Sequence, residues 1–274
     1  MRGETIVSFL VGVMISAVAL GAAVTGLTTF SRASNDHRQI SDTEVIARKI
    51  LDQMSYEIRL TGGGVPFHLA GFQIGDTTLG DSPLPILTSA SATEVTFKIN
   101  QRGRVGMLST QFDPSLGVSF TLVDVTGFAT GQEVYFTSVD PSNPDGLHGV
   151  IQSIAGSVIT LEANPIYTAG AIFAPGTIVQ PVSEVTYRSD ENGITRIDEL
   201  SEVVMSPSAS FSLTYLGNDG TALALPMDET TIRTILSSIQ VIVDVDSLLP
   251  VTGGDVRTAQ LQTRVALRGL NAIR

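Results

Sequence analysis

The chain has no cysteine, which excludes thiol nucleophiles, cysteine-ligated zinc and disulfides, and leaves an apolar core as the only means of holding a fold together. Histidine is nearly as scarce. His37, His68 and His148 stand far apart, with no second histidine at helical spacing, so a catalytic zinc site is not expected. Basic residues are also few: 16 Lys and Arg face 27 Asp and Glu, a net charge of −11 that repels phosphate, and no nucleic-acid partner is expected. There is no P-loop, no G-x-G-x-x-G, no G-x-S-x-G and no lysine in a glycine-rich cradle. The sequence therefore assigns no catalytic residue, no metal and no cofactor, and the expectation is a protein that is not an enzyme.

Two acidic turns invite a calcium reading. Aligned to an EF-hand loop, Asn143, Asp145 and Gly146 put Pro141 where the first acid belongs and Gln152 where the bidentate glutamate belongs, so Asp140–Gly146 reads as an Asp/Asn/Pro/Gly turn. Asp190-Glu191-Asn192-Gly193 reads as a hairpin tip.

What the sequence does have is a long apolar opening. Thr5 to Ser31 contains no charge, and at about 1.5 Å per residue it makes a helix of roughly 40 Å, enough to cross a bilayer core of about 30 Å. It is longer than the ~7–15 apolar residues of a cleaved secretory signal, and the helical pattern runs on past it. Ile46, Ala47, Ile50, Leu51, Met54 and Ile58 recur at three- and four-residue spacing, with Arg48, Lys49, Asp52, Gln53, Glu57 and Arg59 on the opposite face. The expectation is one helix over 4–62, membrane-spanning at 5–31 and amphipathic at 36–61, stopped by Gly62-Gly63-Gly64. Arg2 and the initiator amine orient the N-terminus to the cytoplasm and export everything after Arg32. Gly12, Ser16, Gly21, Ala22, Ala23 and Gly26 give the span small faces that let helices approach closely.

From 67 to 274 the texture is that of strands. Residues 67–92 read as loop with one short strand at Leu69–Ile74. Val95, Phe97 and Ile99 alternate with Glu94, Thr96 and Lys98, which predicts a strand with one wet face. Further strands are expected at Val118–Val125, Glu133–Val139, Gly149–Ile154, Val158–Glu162, Thr177–Val182, Glu184–Arg188, Ile194–Ile197, Phe211–Leu216, Thr221–Leu225, Ile239–Val245 and Thr258–Leu267, with a capped helical turn at Asp228. Ile239–Val245 is apolar enough for the centre of a sheet. Residues 128–162 read as a hairpin-rich, barrel-like insert. The fold class is thus α+β: a long N-terminal helix packed on a mainly antiparallel β domain.

Met1-Arg2-Gly3 followed by Glu4-Thr5-Ile6-Val7-Ser8-Phe9-Leu10-Val11 resembles the N-terminus of type IV pilins and pseudopilins. Three further strings resemble PilW-type minor pilins and the J-type pseudopilins of type II secretion: Glu57-Ile58-Arg59-Leu60-Thr61-Gly62 at the helix end, Val185-Thr186-Tyr187 with Thr195-Arg196, and Val265-Ala266-Leu267-Arg268-Gly269-Leu270. The resemblance implies a pilin-like fold and a leader, residues 1–3, cut by a prepilin peptidase between Gly3 and Glu4, with methylation of the new terminus. It implies an assembly helix carrying Thr5, Ser8, Gly12, Gly21 and Gly26. Its partners would be other pilin and minor pilin subunits, the prepilin peptidase and an inner-membrane assembly platform. The place would be the bacterial inner membrane with an exported C-terminal domain, then a cell-surface filament. The family usually has a large apolar residue first after the glycine and an acid fifth, where this chain has Glu4 and Ser8. Either Glu4 supplies the countercharge for a neighbour's amine, or the subunit sits where none is required, as at a tip. The function so implied is a minor pilin-like subunit acting in assembly or at the tip. The alternatives are a type II secretion pseudopilin, or a single-pass membrane-anchored binding domain with 128–162 as its recognition surface.

Overall fold

The structure is a computed structural model, and it describes residues 2–62, 86–100, 103–137, 146–167, 170–199, 201–227, 231–232, 235–247 and 256–267. Helix α1, Arg2–Arg59, is unbroken over 58 residues. It ends as the glycine predicts. Gly62 takes φ 79°, which costs a residue without Cβ nothing, and its N–H donates to the Lys98 carbonyl at 2.8 Å, stitching the helix end to a strand.

Two sheets follow, both antiparallel. The larger contains β1 (Leu87–Ala90), β2 (Glu94–Ile99), β3 (Gly106–Met107), β4 (Ser119–Thr121), β5 (Glu133–Thr137), β6 (Gly146–Ala155), β7 (Val158–Leu161), β8 (Ile166–Tyr167), β9 (Ile178–Asp190), β10 (Gly193–Ile197) and β11 (Glu202–Ser206). The smaller has the order β12 (Ala209–Gly217), β13 (Leu236–Asp246), β14 (Thr258–Ala266), with β13 central as its apolar run predicts. The fold is therefore α+β, with one long apolar helix on a largely antiparallel β domain.

Strand β9 organises the large sheet. Residues 178–182 pair with β5 and, over the first two, with β3; residues 183–188 pair with β2 and 186–190 with β10. The sequence reads this strand as two, Thr177–Val182 and Glu184–Arg188, split at Ser183, and Pro181 lies inside the first. Its nitrogen faces the flank where β3 has stopped at Val179 and β2 has not begun before Ser183, so no ladder bond is lost. The β9–β10 hairpin turns through Glu191-Asn192, with Gly193 opposite Asp190, and β6–β7 turns through Gly156-Ser157, with Ala155 opposite Val158, each one residue from the expected dipeptides Asn192-Gly193 and Ala155-Gly156.

Other expectations are corrected. The expected wet face of strand β2 is covered: Thr96 and Lys98 are buried, though less completely than Val95 and Phe97, because each finds a polar partner, the Thr186 hydroxyl at 2.9 Å and the Glu133 carboxylate. Only Ser119–Thr121 of Val118–Val125 is strand, and beyond the Asn218–Gly220 turn only an isolated bridge, Leu216 to Ala222, forms. Strands β1, β3, β8 and β11 have no counterpart among the expected strands. The strand at Leu69–Ile74, Gly63-Gly64, His68, the loop at 140–145 and Arg268-Gly269-Leu270 lie outside the described residues. Thr231 and Ile232 are helical, and Ile235 N–H donates to Thr231 O at 2.9 Å, while 228–230 are not described.

There are two cores. The first joins Ala47, Ile50, Leu51, Met54 and Ile58 of α1 to Val95, Phe97, Val185, Tyr187 and Ile194 of the large sheet and to Phe211, Tyr215, Val241, Val243 and Val265 of the small one. The second gathers Leu108, Phe112, Phe120, Leu122, Phe136, Leu147, Ile159, Phe173 and Val179. The antiparallel run β5–β6–β7 falls within 128–162, but its core draws on residues from 108 to 179.

Candidate functional site

Helix α1 is two different objects joined end to end. Up to Arg32 its described side chains are all exposed, with Phe9 71% and Leu20 70% open, and by length and composition it can cross a membrane. A Cβ added at Gly12, Gly21 or Gly26 would meet nothing within 4 Å, so these glycines lie against open space. Ser8 is exposed; Gly3, Glu4 and Thr5 lie in the helix backbone, and their side chains are outside the described residues. Hydroxyls in this stretch are satisfied within the helix: Thr25 donates to Gly21 O at 2.9 Å, and Thr28 and Thr29 donate to Thr25 O at 2.9 and 2.8 Å. That is what a polar side chain needs where no water can solvate it.

From Thr43 onward the same helix belongs to the domain. Arg48, Lys49, Asp52, Gln53 and Arg59 face out as the periodicity predicts, but Glu57 does not. It is 9% exposed, and its carboxylate accepts from the Tyr187 hydroxyl at 2.7 Å and from Arg196 Nε at 3.0 and 3.2 Å; Arg196 Nη1 then donates to Asp198 at 2.6 Å. The correction has a physical reason. Position 57 lies one helical step from Met54 and Ile58, inside the apolar stripe, and a charge is tolerated there because Arg196 of β10 meets it. Burial works against the charge on Arg196, yet its bonds to Glu57 and Asp198 outweigh that and hold the guanidinium above its ordinary pKa. Burial and the neighbouring Glu57 carboxylate push the Tyr187 hydroxyl up. Glu57, Tyr187 and Arg196 come from two of the strings that carry the resemblance, and the fold brings them to one point.

A second polar cluster lies across β9. Lys98 Nζ on β2 donates to both oxygens of Glu133 on β5, at 2.7 and 2.8 Å; the Tyr135 hydroxyl donates to Glu133 Oε2 at 2.7 Å, and His148 Nε2 stands 3.3 Å from the same oxygen. The His148 ring stacks on Tyr135, centroids 4.8 Å apart. Burial acts to raise the Glu133 pKa, but the adjacent His148 imidazole, the bonds from Lys98 and Tyr135 and the charge of Lys98 win, and the carboxyl is held at about 2. Beside it, Gln132 Nε2 donates to Ser183 at 3.1 Å, and the carboxylate of Glu199 accepts from the Glu184 N–H at 3.1 Å; burial raises the Glu199 pKa. No local spacing announces this cluster, since its members come from four strands and two loops.

Among the described residues no three His, Cys, Asp or Glu side chains are placed to hold a metal ion. Residues 2–59 carry six bases and six acids, so the whole net charge of −11 sits on the β domain. The arrangement defines a class: a helix long and apolar enough for a membrane, rigidly built into an acidic, antiparallel β head. Compared with known proteins, the chain matches no family model, no curated sequence and no solved structure.

Proposed function

We propose that this chain is a minor pilin-like structural subunit of a type IV pilus or related filament, held in the bacterial inner membrane by α1 until assembly and incorporated near the start or tip of the filament. The observation that carries the reading is the division of one continuous helix: unpacked through its apolar stretch, then buried and ion-paired in the head by its last four turns. A helix that served only as an anchor needs no such union. A subunit drawn from lipid into a helical bundle does, because the head must follow the helix without turning on it. Transfer is feasible because helix–helix packing replaces helix–lipid contact at similar apolarity, and Gly12, Gly21 and Gly26 leave room for a neighbouring helix. Partners on this reading are other pilin subunits, the prepilin peptidase that cuts after Gly3, and the assembly platform. A pseudopilus of type II secretion uses the same geometry, and co-purified components tell the two apart.

The test exploits the missing cysteines. Gly12→Cys, Gly21→Cys and Gly26→Cys each introduce a unique thiol, and oxidation in the native membrane links subunits whose helices pack together. Expected are disulfide-linked species from at least one variant and a mature terminus beginning at Glu4. An intact Met1 together with no linked species from any of the three refutes the proposal. It would leave the membrane-anchored binding domain, the reading that the separate second core favours.

A further inference from the structure

Among the described residues the head has two hydrophobic clusters, and β9, which runs through both blocks, changes all its partners between Val182 and Ser183, with Tyr135 and Val182 on the far side still packed in the first cluster. On the helix-bearing side its neighbours are β2 and β10. On the other they are β5 and β3, and beyond them β6, β7 and β4 enclose the phenylalanine-rich second cluster. Across this seam, side chains take over from the ladder. Lys98, 7% exposed, reaches from β2 over β9 to Glu133, the first residue of β5, and Tyr135 and His148 close on the same carboxylate from β5 and β6. The groups that face Glu133 are thus one ammonium, one phenol and one imidazole. The next charged groups along the seam are the carboxylates of Glu184 and Glu199. Lys98 is also the residue whose carbonyl receives the Gly62 N–H at the helix end.

We propose that Lys98, Glu133, Tyr135 and His148 form a latch that holds the block of β3–β8 and the start of β9, residues 106–137, 146–167 and 170–182, against the helix-bearing core, and that its release lets that block open while α1 and the small sheet stay folded. The block encloses its own aromatic core, with Phe136 edge-on to Phe120 at 4.9 Å and tilted against Phe173 at 5.1 Å, so it keeps its internal packing when the seam parts. Buried ion pairs are poor sources of net stability but costly to break on one side, which suits a latch: closed, it fixes orientation; with one member neutralised, it leaves a buried charge that drives the seam apart. The proposal is independent of the filament reading, because it concerns the head alone.

Hydrogen exchange read by mass spectrometry on the full chain in detergent micelles tests it. Glu133→Gln keeps the shape and removes the charge. Expected is exchange about tenfold faster in 133–137 and 146–155, with 236–246 and the 47–58 stretch of α1 within about twofold of the parent. Lys98→Arg, which keeps the cation, is expected to stay within threefold throughout. Should Glu133→Gln not fold, the parent chain is measured across sub-denaturing urea, where amides of β5 and β6 are expected to exchange through an opening with a smaller urea dependence than those of β13. Equal acceleration of both blocks, no acceleration in either, or one common urea dependence overturns the latch.

Discussion

At the scale of single residues, the decisive contacts are charges placed where burial forbids them unless they are paired. Glu57 and Arg196 meet this condition, with side chains 12% and 10% exposed and Nε 3.0 Å from the carboxylate. Arg196→Met leaves Glu57 without its cation in the first core and is expected to cost about 3–5 kcal/mol in urea unfolding of the micelle-bound chain. The double variant Glu57→Met with Arg196→Met is expected to recover most of that loss, since apolar replacements fill the same space without desolvated charge. Tyr187→Phe, which removes one bond to a charged acceptor, is expected to cost about 1.5–3 kcal/mol. A double variant no more stable than Arg196→Met alone would show that Glu57 is not buried as described. Glu133 supplies a pH dependence. Its folded pKa of about 2 lies below the ordinary 4.5, so the unfolded chain takes up the proton first. The resulting stabilisation is full above about pH 4.5 and drains away as pH falls towards 2; melting followed over that window should be flatter in Glu133→Gln.

At the scale of elements, α1 shows what a sequence carries and what it withholds. Its 3.6-residue period placed Ala47, Ile50, Leu51, Met54 and Ile58 inside and Lys49 and Asp52 outside, because burial of a helix stripe is written locally. The place of Glu57 was not legible, because its partner lies 139 residues away and residue type alone puts a glutamate in water. The same reason hid the buried side of β2, where Lys98 and Thr96 look wet until Glu133 and Thr186 are brought opposite them. Turns were easier to read, since Gly62 and Gly193 declare their backbone needs. Gly193 sits at φ 101°, and a Cβ there would run into the Ser206 carbonyl and the Pro207 backbone, so Gly193→Ala must shift β11 away from β10. It is expected to cost about 2–4 kcal/mol, more than an ordinary φ penalty, and to loosen exchange of β11 amides first. Met54→Ala, at a position with no exposure at all, is expected to cost about 2–5 kcal/mol by opening a cavity between the helix and the two sheets.

At the scale of the whole molecule, the separation between rod and head makes a direct prediction about deletions. No described side chain from Ile6 to Arg32 is buried, whereas those from Thr43 to Ile58 include five members of the first core. The apolar stretch therefore contributes exposed surface to the molecule but no packing to the head. A chain deleted from Arg2 to Ser31 is expected to dissolve without detergent, since its head then carries nearly the full −11 charge and has lost its longest apolar run. Its urea midpoint should match that of the micelle-bound full chain to within about 0.5 kcal/mol of stability, because no contact that holds the head has been removed. Extending the deletion to Met54 strips Ala47, Ile50, Leu51 and Met54 from between the sheets and should abolish cooperative unfolding. If the shorter deletion were already as damaging as the longer one, the first half of α1 would have to pack on the head in the native molecule, and the division of the helix into membrane rod and structural member would be wrong.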